Sequence, residues 1–244
     1  SAGMPADRAA DVADVLVEAD LLGHDTHGLN LLPIYLREIE AGSMTLTGDP
    51  LTLSDRGAAI TWDGRRLPGP WLVLRAYELA AQRARLHGTG TVVIRRSHHV
   101  ACLAAYLERA AAQGLVLLIY SSGPSNRTVA PFGGVTPVYT PNPLAAGFPA
   151  GDQPVMLDVS TSITTNNLMA RLNREGRRLE HPWLIDAQGA PSTDPSVVFA
   201  DPPGSILPIG GLDHGHKGYA LSLLVEAVTG GLSGHGRADA PEGW

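Results

Sequence analysis

Between residues 70 and 120 the chain alternates two kinds of apolar pattern, and this alternation limits the possible folds more than any other stretch. Residues 70–86 repeat Ala and Leu at helical spacing, and residues 91–94 form a short β-branched run. Residues 100–113 read as a second helix stopped by Gly114, and residues 115–120 are a continuous apolar run of buried-strand type. Strand, helix and strand in succession are the crossover signature of an α/β sheet.

The flanks extend this reading. Residues 9–22 carry Ala, Val and Leu at helical spacing with acids at Asp11, Asp14 and Glu18, and end at Gly23. A histidine-rich turn follows, then a second helix over residues 31–41 closed by Gly42. Residues 51–54 and 58–62, split by Asp55-Arg56-Gly57, predict a hairpin. Residues 121–154 are dense in Gly, Pro, Ser and Asn, which predicts an irregular and functional segment. Strands are expected at 155–159 and 183–185, and a last helix at 219–228. The organisation expected is a helical region over 1–50 carrying His27, followed by an α/β cofactor-binding and catalytic core over 51–244.

Composition excludes several classes. With 244 residues, 44% of them hydrophobic and 17% charged, the chain has material for a sizeable core. Its net charge is −6 and no Lys/Arg run exceeds a pair, which argues against a nucleic-acid partner. Cys102 is the single cysteine, so no intrachain disulfide forms, and it reads as a small core residue. No apolar run approaches the roughly 20 residues that span a bilayer, and the start has no signal-peptide pattern. A cytoplasmic protein without a membrane partner is expected.

Three groups of side chains carry candidate chemistry. Lys217-Gly218-Tyr219 follows a glycine-bearing turn at the start of an apolar helix, where unpaired N–H groups and the helix dipole favour an anion. No G-x-G-x-x-G and no G-x-x-x-x-G-K-[ST] occurs, so neither the Rossmann fingerprint nor the P-loop is present. The histidines cluster: His24 and His27 share one turn, His98 and His99 are adjacent, and His214 and His216 flank the lysine. Such clusters suit proton chemistry or a metal, yet no carboxylate or cysteine completes a recognisable ligand motif beside them, so no metal is expected.

His27 lies just before a helix, where Asp25 or Thr26 would fix its tautomer; a capping role is the plainer alternative. His98 lies at a strand-to-helix junction, where α/β sheets collect ligands, or else in a cap formed by Ser97. Asp158 ends a buried strand ahead of Ser160, Thr161 and Ser162, which suits a ribose or a self-capped turn.

Taken in order, these segments resemble the malate/L-lactate dehydrogenase family, whose NAD(P)-dependent oxidoreductases lack a Rossmann fold. The resemblance begins at Ala19-Asp20-Leu21-Leu22-Gly23-His24-Asp25-Thr26-His27-Gly28 and continues through Ser97-His98, similar to an N-H-[FS]-G element. It includes Pro131-Phe132-Gly133-Gly134, Asn142-Pro143, Asp158-Val159-Ser160-Thr161-Ser162, residues 189–195 and Lys217-Gly218-Tyr219. The resemblance implies an α/β fold, a three-layer arrangement around a mixed sheet. It also implies a homodimer with the cofactor site near the subunit interface.

The implied activity is hydride transfer between NAD or NADP and a small carbonyl, hydroxyl or imine substrate, with histidine as proton donor or acceptor. Catalytic roles are implied for His98 and His27, and substrate contacts for Thr26 and Asn142. Cofactor contacts are implied for Ser125, Asp158, Val159, Ser160, Thr161, Ser162, Lys217 and Gly218.

The chain departs from the family pattern at the substrate segments. Leu31 and Ile34 stand where arginines suited to a carboxylate are common. Pro141 replaces a threonine, Ala101 a glycine, and Asn167-Leu168 a Gly-Lys pair. An unusual, less anionic substrate is therefore expected. The resemblance also implies further chain before Ser1 and after Trp244, the latter contributing to the cofactor site. Two competing readings are a diverged ligand-binding or partner-binding protein and, more remotely, a histidine-metal hydrolase.

Overall fold

The computed structural model describes residues 2–237. Helix α1 (Ala6–Leu21) buries Val12, Val15, Leu16 and Ala19, one stripe at i, i+3, i+4 and i+7. Each fully buried aliphatic side chain contributes about 1.5–3 kcal/mol. The helix stops because Gly23 takes φ +81°, and the His24 N–H then donates to Ala19 O at 2.8 Å. A short 3-10 turn, Leu29–Leu31, leads into α2 (Leu32–Glu40).

The expected hairpin is present as β1 (Leu51–Asp55) and β2 (Ala59–Asp63), paired antiparallel around Gly57. Helix α3 (Gly69–His87) then crosses to β3 (Thr91–Arg95), which pairs parallel with β2 from Ala59↔Thr91 to Asp63↔Arg95. The parallel crossover is therefore β2–α3–β3, one unit earlier than the sequence pattern suggests.

Residues 100–113 do not form one helix. They hold a 3-10 turn at Ala104–Tyr106 and a short α4 (Leu107–Ala111). Ala101 sits at φ +58°, outside helical space, and the Tyr106 hydroxyl donates to Val100 O at 2.6 Å, so the chain loops before it coils.

Strand β4 (Leu117–Tyr120) opens a second, antiparallel sheet of order β4-β5-β6, completed by β5 (Leu144–Ala150) and β6 (Gln153–Val159). The stretch read as irregular thus contains a strand, hidden in the sequence by Gly147 and Pro149. Gly147 is required there, because a Cβ would stand 2.7 Å from Leu107 Cβ and push α4 off the sheet.

Helix α5 (Asn166–Arg174) starts at Thr165, whose Oγ1 accepts the Leu168 N–H at 3.3 Å. A third small sheet joins β7 (Leu184–Ile185), β8 (Pro191–Ser192) and β9 (Ser205–Ile206) in the order β8-β7-β9. The chain then runs through α6 (Gly211–His214) and α7 (His216–Glu226) into a π turn at Ala227–Gly231.

The fold is α/β with a helical N-terminal region; among the described residues the strands are divided among three sheets, of which β1-β2-β3 is the mixed one. The main core joins Val15, Leu16 and Tyr35 from the helical region to Leu103, Tyr106, Leu107 and Ala145 from the α/β part. The expected second unit, 51–244, ends in residues 238–244, which lie outside the described residues. None of the described helices is long and apolar enough to cross a membrane.

Candidate active site

Strands β3 and β4 belong to different sheets, and both line one cleft of about 1350 Å³. Its walls also include the turn at His24 and His27, the loop at His98 and His99, the end of β6 at Asp158, and the start of α5 at Asn166 and Asn167.

The histidine turn is held from several sides. Gly28 is a glycine because a Cβ there would run into the Asp20 carboxylate, which accepts the Leu29 N–H at 3.2 Å. Asn167 Nδ2 donates to Thr26 O at 3.1 Å, and Arg171 pairs with Asp25 at 3.4 Å, so α5 anchors the turn. Thr26 Oγ1 lies 2.9 Å from His27 Nδ1, a hydrogen bond the hydroxyl can make as donor or as acceptor.

His27 stacks on His99, with ring centres 5.9 Å apart and planes 21° from parallel. The Ala101 N–H donates to His99 Nδ1 at 3.1 Å, which makes Nδ1 an acceptor and puts the proton of the neutral ring on Nε2. The Tyr35 hydroxyl lies 3.0 Å from the same Nδ1 and donates to His99 O at 3.1 Å. Burial lowers the pKa of His99 to about 3, helped by His27 and His98. Burial also lowers that of His27, against the opposing pull of Asp158.

His98 is differently placed: its Nε2 is 3.8 Å from Glu38 Oε2 and its ring meets Tyr35 edge-on at 5.6 Å. Burial outweighs Glu38 and lowers its pKa as well. The Glu38 carboxylate also accepts a hydrogen bond from the Ser43 hydroxyl. The imidazole brought onto His27 is thus His99, which the sequence reading passed over for its neighbour. A signal was present: in N-H-x-G the glycine falls two residues after the histidine, and the left-handed residue here is Ala101.

The other expected site residues divide into two groups. Ser125, Asp158, Val159, Ser160 and Ser162 line the cleft. One Asp158 oxygen accepts the Ala104 N–H at 2.8 Å, and Cys102 Sγ approaches it at 3.6 Å. Thr161 is fully buried and bonds to Pro141 O at 3.0 Å and to the Ser222 hydroxyl at 2.7 Å.

Asn142 is also fully buried, at φ +44°, bonded to Thr140 Oγ1 at 2.6 Å and Glu226 Oε1 at 2.7 Å. It ties the loop before β5 to α7; its neighbours Thr140, Pro141 and Pro143 line the cleft, whereas Asn142 itself is turned into the packing behind them. Gly218 packs against that same layer, since a Cβ would stand 2.8 Å from Thr161 O and closer still to Ile209.

Lys217 is exposed in the first turn of α7 and lies outside the cleft lining. The first-turn N–H groups beside it are taken, Gly218 by Ile209 O at 3.2 Å and Tyr219 by Gly215 O at 2.9 Å. The helix-terminal anion site read from the sequence is thus largely filled by backbone. Among the described residues, the arginines that line the cleft are Arg95 and Arg96, both paired with the buried Asp63 carboxylate.

Residues 1–243 match the malate/L-lactate dehydrogenase family. The chain belongs to this family.

It is 39% identical to the L-lactate dehydrogenase of Cupriavidus necator over 98% of its own length and 69% of that protein. Among solved structures it superposes on the malate dehydrogenase of Pyrococcus horikoshii with a TM-score of 0.85 and 31% identity, covering 97% of this chain and 64% of that one. The Δ1-piperideine-2-carboxylate reductase of Pseudomonas syringae gives a TM-score of 0.83 and 32% identity, with coverage of 100% and 71%. The chain therefore spans about two thirds of the length of its relatives.

Proposed function

We propose that the chain is an NAD(P)-dependent oxidoreductase that interconverts a small hydroxyl compound, of the 2-hydroxy acid type, with its carbonyl, or reduces a cyclic imine. The observation that carries this reading is the stacked pair His27–His99 inside a cleft that Asp158 also lines. The names of the relatives, which include a lactate dehydrogenase, a malate dehydrogenase and an imine reductase, support the same chemistry.

The cleft fits the group. At about 1350 Å³ it exceeds the roughly 300–1,000 Å³ of common small-ligand sites, and it offers Ser125, Asp158, Ser160 and Ser162 as polar contacts with Arg95 and Arg96 as cations. When bound, a nicotinamide supplies or takes up the hydride.

The chain's own part is the proton. His27, with Nδ1 engaged by Thr26, exchanges it at Nε2 with the substrate oxygen or nitrogen, and its lowered pKa keeps it a neutral base for alcohol oxidation. His99 holds the ring by stacking and presents Nε2–H as a donor to the same atom. His98, on Glu38, positions this loop. With Leu31 buried in the core and no arginine on that helix face, the substrate carboxylate, where there is one, is met elsewhere.

A homodimer completes the reading. Helix α7 leaves Leu221, Leu223 and Leu224 exposed, and Lys217 at its start lies outside this chain's own cleft, which suits contact with the cofactor of a second copy. Thermal melts with each of NAD, NADH, NADP and NADPH test the proposal. One of them at millimolar concentration should raise the melting temperature by mass action. No shift with any of the four overturns it.

A further inference from the structure

Beyond the proton-transferring pair, three side chains of metal-binding type converge at the edge of the cleft. His24, Cys102 and Asp158 each offer one ligand atom, and these atoms all lie within 4.8 Å of one another. They come from three places far apart in sequence: the turn after α1, the loop before α4, and the end of β6. No ligand spacing in the sequence announces them.

The donor set is selective. A sulfur, an imidazole nitrogen and a carboxylate oxygen together suit a borderline-soft ion such as Zn²⁺, and match neither the all-oxygen cages of Ca²⁺ nor those of Mg²⁺. Three protein ligands also leave a fourth tetrahedral position for water or a small ligand.

The surroundings favour a built site. Cys102 is buried and faces the Asp158 carboxylate at 3.6 Å, and the Ala104 N–H fixes that carboxylate at 2.8 Å. Such an outer hydrogen bond orients a ligating carboxylate. Gly23 at φ +81° and the bond from the His24 N–H to Ala19 O fix the backbone that carries the imidazole. His24 and Asp158 line the cleft, so an ion has an entry path from solvent.

We propose that His24, Cys102 and Asp158 form a binding site for one divalent cation of the zinc class. The ion takes Cys102 as thiolate, His24 as neutral imidazole and one Asp158 oxygen. It stands beside His27, so on the dehydrogenase reading it blocks the cleft and inhibits turnover; the binding itself does not depend on that reading.

The test is a titration of the chelator-treated, full-length chain with Co²⁺, followed by displacement with Zn²⁺. One Co²⁺ per chain is expected, with sulfur-to-cobalt charge-transfer absorption that Zn²⁺ removes. Cys102→Ser and Cys102→Ala should both abolish the charge-transfer absorption while retaining native far-UV dichroism. Removing even an outer partner of a metal ligand costs about 10–100-fold in affinity, so His24→Gln and Asp158→Asn should each cost at least that.

The exposed pair His214 and His216, whose rings lie 6.2 Å apart, is the control. Replacing both with Gln should leave cobalt binding unchanged. Absence of the charge-transfer absorption, binding that survives the Cys102, His24 and Asp158 substitutions, or binding lost with His214 and His216, overturns the proposal. Zinc inhibition of turnover is a separate readout; turnover that persists with the cation site occupied overturns the blocking of the cleft and leaves the site itself standing.

Discussion

The imidazoles of His27 and His99 lie face to face with centres 5.9 Å apart, and burial disfavours a charge on either. A second charge on such a pair adds repulsion to desolvation, so the site holds two neutral rings at neutral pH.

This pair makes stability depend on pH. The unfolded chain takes up protons on both histidines near the ordinary imidazole value of about 6.5, whereas folded His99 resists protonation down to about 3. The unfolded state therefore binds more protons in this window, and stability falls as the pH drops below about 6.5. Urea midpoints taken between pH 7 and 5 should decline, and His99→Gln should flatten the slope. An unchanged slope in that variant removes His99 as its source.

Turnover should separate His27, His98 and His99. General acid–base assistance is worth about 10²–10⁴ in rate. His27→Gln and His99→Gln should each lower kcat within that range and keep the cofactor-induced rise in melting temperature. His98→Gln, which loses the contact with Glu38 and leaves the two stacked rings in place, should cost less. A larger loss in kcat for His98→Gln than for His99→Gln returns the proton to His98.

Asn142 separates packing from substrate recognition. Its side chain is fully buried between Thr140 and Glu226, so Asn142→Ala leaves polar partners unpaired, at a cost of about 1–3 kcal/mol. A lower denaturant midpoint is expected. Wild-type stability combined with a raised KM restores the substrate role implied by the family pattern.

Gly28 and Asp20 are locked by close approach. Gly28→Ala drives a methyl group into the Asp20 carboxylate and displaces the acceptor of the Leu29 N–H. Overpacking of this kind costs about 1–3 kcal/mol, and here it tilts the turn that carries His27. Both the unfolding midpoint and kcat should fall; a variant with both unchanged shows that the turn yields freely.

Much of the local structure was legible in the sequence because it is set by local physics. Apolar spacing placed α1, α2, α3 and the β1–β2 hairpin to within a few residues, and the motif order placed His27, Asp158 and Ser160 at one site. The failures share a cause. Strand β5 looked irregular because Gly147 answers to Leu107, forty residues away in the chain, and residues 100–113 looked helical because apolar content does not reveal the left-handed turn at Ala101.

The sequence by itself determined which stretches coil and which extend, and which families of side chain are available, because spacing and backbone preference act over a few residues. Only the tertiary structure decided which groups meet. It put His99 and not His98 against His27, buried Asn142 and Thr161 as ties to α7, left Lys217 outside the cleft, and gathered His24, Cys102 and Asp158. Contacts of that kind depend on how separate elements pack, and no local spacing encodes the distance between them.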